Sequence, residues 1–409
     1  MKKKKILFVC YGGGHAAMLA PVISEVNRRG EFDTVVLALT TAYEYLKKLG
    51  VSCVRYKDLT HLSATTDWKE HGTRLVGSLE KYNGLLPFQE SVAYYGINFA
   101  DLVCQLGSER AARGCKNGNR QLFYPVNFMS NLLHEIEPDL VVTTNAPRSE
   151  RAVVDAASFL GLQAICLVDL FAAEEFKWIA KENFGKKILV LNQSVKEFLV
   201  SKGRKASDIE VTGNPAFDAI YDRQTLIIAE NLREQKYDNC KINILFASNV
   251  EPEIHPFNGK VGDVNLPITN ENMLREFIET NPEYRLVVRY HPSQDLAFKK
   301  AENVLLSPGS ESLHSLLHCM DIVVTGPSTV GLEGYLAGKK VISIDTSIFS
   351  DDSQFSKLGI SQGVETKEQL FSAIHEISSA LVQEARPRVE SNLATPNVCY
   401  AIEQLLENA

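Results

Sequence analysis

The sequence predicts an α/β protein built from two doubly wound parallel-sheet domains. Three observations carry that expectation. Short apolar runs alternate with helix-patterned segments along most of the chain. Most of those runs are continuously apolar, as strands buried on both sheet faces require. The alternation stops over the polar residues 223–240 and then resumes, which divides the chain in two.

In chain order, "KILFVC" (5–10) is the first strand, and the glycines after it end it. Residues 16–29 carry Met18, Leu19, Val22, Ile23 and Val26 at helical spacing. "TVVLAL" (34–39) is the next strand, and Thr41 restarts a helix. The stretch that follows is less regular and rich in aromatics, as in "ESVAYYGINF" and "RQLFYPVNFM". Strands are then expected at 138–145, 163–169, 186–192 and 209–215, with helices near 149–160 and 194–202. After the polar stretch, strands are expected at 242–248, 284–292, 303–308, 321–328 and 339–345, with helices near 270–279, 311–319 and 329–338. The expected division is a first domain over 1–222, a crossover linker over 223–240, a second domain over 241–386, and a closing helix over 387–409 that packs back on the domains.

Length and composition narrow the function classes. Each half of a 409-residue chain can bury its own core. The net charge of −7 argues against general affinity for nucleic acid or anionic membrane. Eight cysteines form no C-x-x-C pair, and several lie in apolar runs, which suits buried thiols in a reducing cytoplasm. The start, "MKKKKILFVCYGGGH", has too short an apolar core for a secretory signal, and no run reaches the roughly 18 residues of a spanning helix. A cytoplasmic protein is expected, with the four lysines at a solvated strand start; peripheral contact with the inner membrane is the second reading.

Ligands of doubly wound sheets bind at the carboxyl ends of the strands, and four constellations sit there. The first is Gly12-Gly13-Gly14-His15. Its glycines allow positive φ and close backbone approach, and the helix after it offers free N–H groups. The spacing is not G-x-G-x-x-G, so a dinucleotide fold is disfavoured. His15 at the helix start suits general-base work, its plainer role being a turn cap. The second, Val211-Thr212-Gly213-Asn214-Pro215, is a turn signal and a candidate hinge. The third, Arg289-Tyr290-His291-Pro292-Ser293, brings cationic and donor groups to a strand end, where they could meet phosphate. The fourth is Thr325-Gly326-Pro327-Ser328-Thr329-Val330-Gly331-Leu332-Glu333. Ser328 and Thr329 fall at a helix start, an anion site, and Glu333 lies about one turn along, where its carboxylate suits a ribose diol. His314 and His318 are four apart on a helix but lack a nearby third ligand, so no metal is expected.

These features resemble the GT-B superfamily of sugar-nucleotide enzymes across nearly the whole chain. "GGGH" looks like the glycine loop of some lipid glycosyltransferases. "VTGNP" with Asp218 resembles the crossover segment of UDP-N-acetylglucosamine 2-epimerases and Kdo transferases. "STVGLEGYLAGKKVI" (328–342) is similar to the donor-binding helix and strand of glycosyltransferases in lipopolysaccharide and capsule synthesis. The resemblance implies two Rossmann-like domains facing across a cleft, the acceptor mostly on the first and the nucleotide mostly on the second. Two places depart from the 2-epimerases: Gly12–His15 stands for their Gly-Thr-Arg-Pro-Glu loop, and Gly326–Thr329 for their Asp-Ser-Gly-Gly loop. The "HP" at 291–292 followed by a Ser/Thr loop also resembles bacterial sialyltransferases, which adds a CMP-linked donor beside a UDP-linked one.

The expected function is a metal-independent glycosyltransferase with no cofactor, moving a sugar from a nucleotide-sugar donor to a glycan or lipid-linked acceptor of a bacterial surface polysaccharide. His15 is the expected catalytic residue. Gly213, Asn214, Arg289, His291, Pro292, Gly326, Ser328, Thr329 and Glu333 are expected at the donor, and Gly12, Gly13 and Gly14 at the acceptor or a phosphate. The alternatives are an epimerase-like isomerase or hydrolase acting on UDP-N-acetylglucosamine, and a non-catalytic sugar-nucleotide-binding protein.

Overall fold

The computed structural model describes residues 3–77, 86–116, 119–237, 241–255, 259–351, 355–383 and 393–407. The chain divides into two compact units, 1–218 with 392–409, and 219–391.

The first unit begins with β1 (Lys5–Cys10), α1 (Gly14–Arg29), β2 (Asp33–Ala38) and α2 (Ala42–Lys48). Four helices follow: α3 (Trp68–Gly77), α4 (Phe88–Leu106), α5 (Ser108–Gly114) and α6 (Val126–Ile136). The alternation resumes with β3 (Leu140–Thr144), α7 (Ser149–Phe159), β4 (Gln163–Leu167), α8 (Phe176–Ile179), β5 (Lys187–Val190), α9 (Gln193–Ser201) and β6 (Ile209–Val211). The six strands pair in the order β2-β1-β3-β4-β5-β6, all parallel. Strand order therefore reverses between β1 and β3, the place where such sheets open a crevice at their carboxyl ends.

The second unit holds α10 (Arg223–Gln235), β7 (Ile242–Ala247), α11 (Leu266–Thr280), β8 (Tyr284–Arg289), β9 (Val304–Leu306) and α12 (Leu313–Cys319). It continues with β10 (Ile322–Thr325), α13 (Thr329–Leu336), β11 (Lys340–Ile344), β12 (Gln362–Val364) and α14 (Lys367–Gln383). Its strands pair in the order β12-β11-β10-β7-β8-β9, again all parallel, and the reversal lies between β7 and β10. The last helix, α15 (Ala394–Glu407), belongs to the first unit.

The cores follow from the apolar runs. Ile6 to Cys10 of β1 are fully buried, and one sheet face packs on Met18, Leu19, Val22, Ile23 and Val26 of α1 together with Val398, Ile402 and Leu406 of α15. Asp218 fixes the start of α15, its two carboxylate oxygens accepting the Ala394 and Thr395 amides at 2.7 and 2.8 Å. In the second unit Ile244, Phe246, Leu286, Val288, Ile322 and Val324 pack on Leu274 and Phe277 of α11 and on Leu370 and Ile374 of α14. The polar stretch 223–240 is helical over α10, where Asp222 caps the first turn. None of the helices among the described residues is long and apolar enough to cross a membrane.

Candidate functional site

At the first switch point the chain leaves β1 through Tyr11 and the three glycines. Gly12 is required by packing, since a Cβ there would stand 1.9 Å from the Thr41 hydroxyl and 3.2 Å from that of Thr40. Gly13 is required by backbone, with φ +68° at the N-cap of α1, a conformation that L side chains rarely adopt. Nothing crowds a Cβ at Gly14. Helix α1 opens without a side-chain cap or an acidic residue in its first turn. Its first N–H groups therefore keep their affinity for an anion. Thr40, at the end of β2, holds φ +53° with its hydroxyl buried and unbonded.

Helix α7, which follows the adjacent β3, supplies the group that sequence reasoning missed. Glu150, in the first turn of α7, is fully buried. Its Oε1 accepts the Tyr11 amide at 2.7 Å and the Thr144 hydroxyl at 2.8 Å. Its Oε2 has no partner, and neither does the buried Nδ1 of His15. Burial pushes the Glu150 carboxyl above its ordinary range, and His15 is the strongest electrostatic influence pulling it back. A buried carboxylate and an imidazole thus share one corner, each with an unused polar atom. A glutamate in a helix's first turn ordinarily reads as a solvated acid favoured by the dipole, so only the register of β1 against β3 reveals it.

The neighbouring strand ends are tied together. The Asn145 side chain and Asp169 exchange two hydrogen bonds of 3.1 Å between the ends of β3 and β4. Asn214, beyond β6, donates to the Asp169 carbonyl and accepts from the Ala216 amide at 2.9 Å. Gly213 sits beside it at φ +82°, where a Cβ would stand 3.0 Å from Ala394. Gly213 and Asn214 thus lie in the first unit, apart in sequence and unit from the other expected donor residues, and the Asn214 side chain is engaged internally.

The second switch point gathers the remaining candidates. Ser328 is the N-cap of α13, its hydroxyl accepting the Val330 amide at 3.3 Å, and Thr329 begins the helix. Gly326 leaves room for Asn249 at the end of β7, whose side chain would stand 2.7 Å from a Cβ. The Thr325 hydroxyl donates to the Ala247 carbonyl at 2.8 Å, as Thr143 does to Val9 at 2.9 Å in the first unit. Glu333 meets Nε2 of His314 at 3.0 Å, a partner that sequence reasoning did not assign. His318 instead bonds the Ile220 carbonyl at 2.7 Å, so the two histidines serve separate partners.

Arg289 ends β8 half-buried and is bound to the Ser307 hydroxyl at 2.9 Å and the Glu311 carbonyl at 3.0 Å. Burial lowers its guanidinium from the ordinary value, while Glu311, Tyr237 and Glu333 counter the shift. His291 is exposed; its Nδ1 accepts the Ser293 amide at 3.2 Å and lies 2.6 Å from the Ser293 hydroxyl. Pro292 closes that turn. Its neighbour Gln294 bonds the His291 amide and the Asn249 carbonyl, both at 2.9 Å, tying the ends of β7 and β8. Arg289, Glu333 and the start of α13 therefore share one sheet edge, with His291 on an adjoining loop.

Two six-stranded parallel sheets, each wound with helices and reversing order once, define a two-domain α/β protein of the GT-B fold. Solved structures agree over the full length. The calicheamicin glycosyltransferase CalG4 superposes with a TM-score of 0.58 at 16% identity, covering 100% of this chain and 99% of that one. UDP-GlcNAc 2-epimerase from Neisseria meningitidis, bound to UDP-GlcNAc, gives 0.57 at 14% identity over 99% and 100%. The kitacinnamycin glycosyltransferase gives 0.56 at 13% over 99% and 100%. No family model matches the chain, and no curated protein matches it either.

Proposed function

We propose that the protein is a glycosyltransferase that moves a sugar from a UDP- or CMP-linked donor to an acceptor hydroxyl of a bacterial surface glycan. The observation that carries this reading is the placement of His15 within electrostatic reach of the buried Glu150 at the first switch point, with His15 Nδ1 and Glu150 Oε2 both buried and unpartnered. A base with a buried acid available to orient it is the arrangement that activates a weak nucleophile. His15 Nε2 takes the acceptor proton while the acceptor oxygen bonds the anomeric carbon. The bond from that carbon to the donor phosphate oxygen breaks, and its electron pair leaves with the nucleotide. Glu150 stabilises the imidazolium and holds its tautomer.

In this proposal the second unit binds the donor. Arg289, His291 and the first turn of α13 at Ser328 and Thr329 meet the phosphates, and Pro292 fixes the loop that carries His291. Gly326 lets the Asn249 side chain pack against the loop before α13, and Glu333, steadied by His314, accepts from the ribose. Cations and N–H groups at the phosphates can take up the leaving-group charge, so a metal ion is not required of this set. The shared fold with sugar-nucleotide proteins of both kinds supports a nucleotide-sugar ligand and keeps an isomerase or hydrolase as the second reading. The test is incubation of the purified protein with UDP- and CMP-sugars, with and without glycoside and glycosyl-phosphate acceptors. The proposal expects nucleotide release only with acceptor present; epimer or free sugar formed without one would sink it.

A further inference from the structure

The reaction proposed above uses His15 and Glu150 but gives no role to the aromatic and cationic wall beside them. Arg148, the residue before α7, lies with its guanidinium 5.3 Å from the centre of the Tyr11 ring. Its Nε is enclosed and has no hydrogen-bond partner. The Arg120 Nη1 reaches the Tyr11 hydroxyl at 3.5 Å. Neither arginine forms an ion pair among the described residues; Arg148 is half-buried and Arg120 is exposed. Tyr94 is 2% exposed, and its hydroxyl is buried without a partner. Its ring packs edge-on against Tyr95 and Phe123 at 5.6 and 5.8 Å, forming an apolar floor.

These groups have one chemistry in common. Two guanidinium groups and a phenol all donate hydrogen bonds, and both arginines favour the ionised form of the Tyr94 phenol electrostatically, against the burial that raises it. Burial raises the Tyr94 phenol, so its proton stays in place to be donated. An enclosed donor without a partner is costly, and two of them around unpaired arginines call for an acceptor that carries negative charge. The uncapped start of α1, three residues beyond Tyr11, adds N–H groups of the same sense. A neutral sugar would add no counter-charge for Arg148, whose influence on Glu150 is already shared with His15; Arg120 is exposed to solvent and adds its charge from the open side.

We propose that Arg148, Arg120 and the Tyr94 hydroxyl bind an anionic group of the acceptor, a phosphate or a carboxylate, next to the base His15. The inference rests on the reading of the first unit as the acceptor side. It is tested by titrating glucose 1-phosphate, glucuronate and methyl glucoside into the full chain by calorimetry, with UDP and CMP titrated in parallel. One or both anions are expected to bind at least about tenfold tighter than the neutral glycoside. Arg148→Gln and Arg120→Gln should each weaken the anion about tenfold, and Tyr94→Phe about threefold, with UDP affinity unchanged. Tyr94→Phe keeps the packed ring and so serves if either arginine variant fails to fold. The phosphate and carboxylate arms tell the two sources apart. Equal binding of the glycoside, anion affinity unmoved in folded variants, no saturable anion binding at millimolar concentration, or a parallel loss of UDP would each overturn the inference. Failure of UDP to bind the wild type would instead count against the UDP-linked donor, and failure of CMP as well against the nucleotide-sugar reading; the anion arms would remain readable in either case.

Discussion

Replacing Glu150 by glutamine separates the role of its charge from that of its shape. The glutamine Oε1 can still accept the Tyr11 and Thr144 donors, now 2.7 and 2.8 Å away. Each bond falls from the charged class, about 1.5–3 kcal/mol, to the neutral class, about 0.5–1.5 kcal/mol. That loss of roughly 2–3 kcal/mol is offset because the buried site disfavours the charge in the first place. Glu150→Gln should therefore stay folded. Glu150→Ala should not fare as well, since it orphans both donors at about 1–3 kcal/mol each, or roughly 2–6 kcal/mol in all.

Turnover should behave differently. The glutamine amide would replace the unpartnered Oε2 beside His15 and donate to Nδ1, forcing the imidazole proton onto Nε2, the atom that must accept. Loss of general-base action costs about 10²–10⁴ in kcat, equivalent to about 2.7–5.5 kcal/mol. The pH dependence has a definite sign. A folded carboxyl raised above its ordinary value binds more protons than the unfolded one, so its contribution to wild-type stability is lost as pH rises through that window. The variant lacks this decline, and its stability relative to wild type should climb with pH. Urea denaturation across pH, paired with product analysis by mass spectrometry, measures both effects. A folded Glu150→Gln protein that keeps kcat within about threefold would refute the assignment.

Two further substitutions test the framework. Gly12→Ala would drive a methyl to 1.9 Å from the Thr41 hydroxyl, and denaturation should register a loss of about 1–3 kcal/mol; an unchanged midpoint would show that the loop yields. Asp218→Ala removes the acceptor for the Ala394 and Thr395 amides. It should cost about 0.5–2 kcal/mol and raise hydrogen exchange along α15, and unaltered exchange would show that apolar packing alone holds that helix.

Most of the architecture was legible because buried parallel strands write themselves as continuous apolar runs. β1, β3, β7 and β10 fall within the expected segments, as does the Ser328 cap of α13. β12 escaped notice because Gln362–Val364 is a three-residue edge strand with two exposed positions. The aromatic region after β2 gave no clear helix signal because α4 is buried without a break from Glu90 to Leu102, which erases the polar face that periodicity needs. The packing need for Gly12, the positive φ of Gly13 and the place of His15 at a helix start were legible from local chemistry at a strand end. Glu150 and His314 were not, because the Tyr11 amide and the Glu333 carboxylate reach them only when distant segments pack, and Arg148 meets the Tyr11 ring in the same way. Asn214 shows the converse: a local turn signal whose side chain is engaged in holding the end of β4.

The proposed reaction divides the labour, with the base on the first unit and the nucleotide on the second. Nucleotide affinity and turnover measured on the same preparations of wild type, His15→Ala and Glu333→Ala test it most directly. Under this division His15→Ala loses turnover while its nucleotide affinity stays at the wild-type value, and Glu333→Ala loses nucleotide affinity. Nucleotide binding that falls with His15→Ala and survives Glu333→Ala would contradict it.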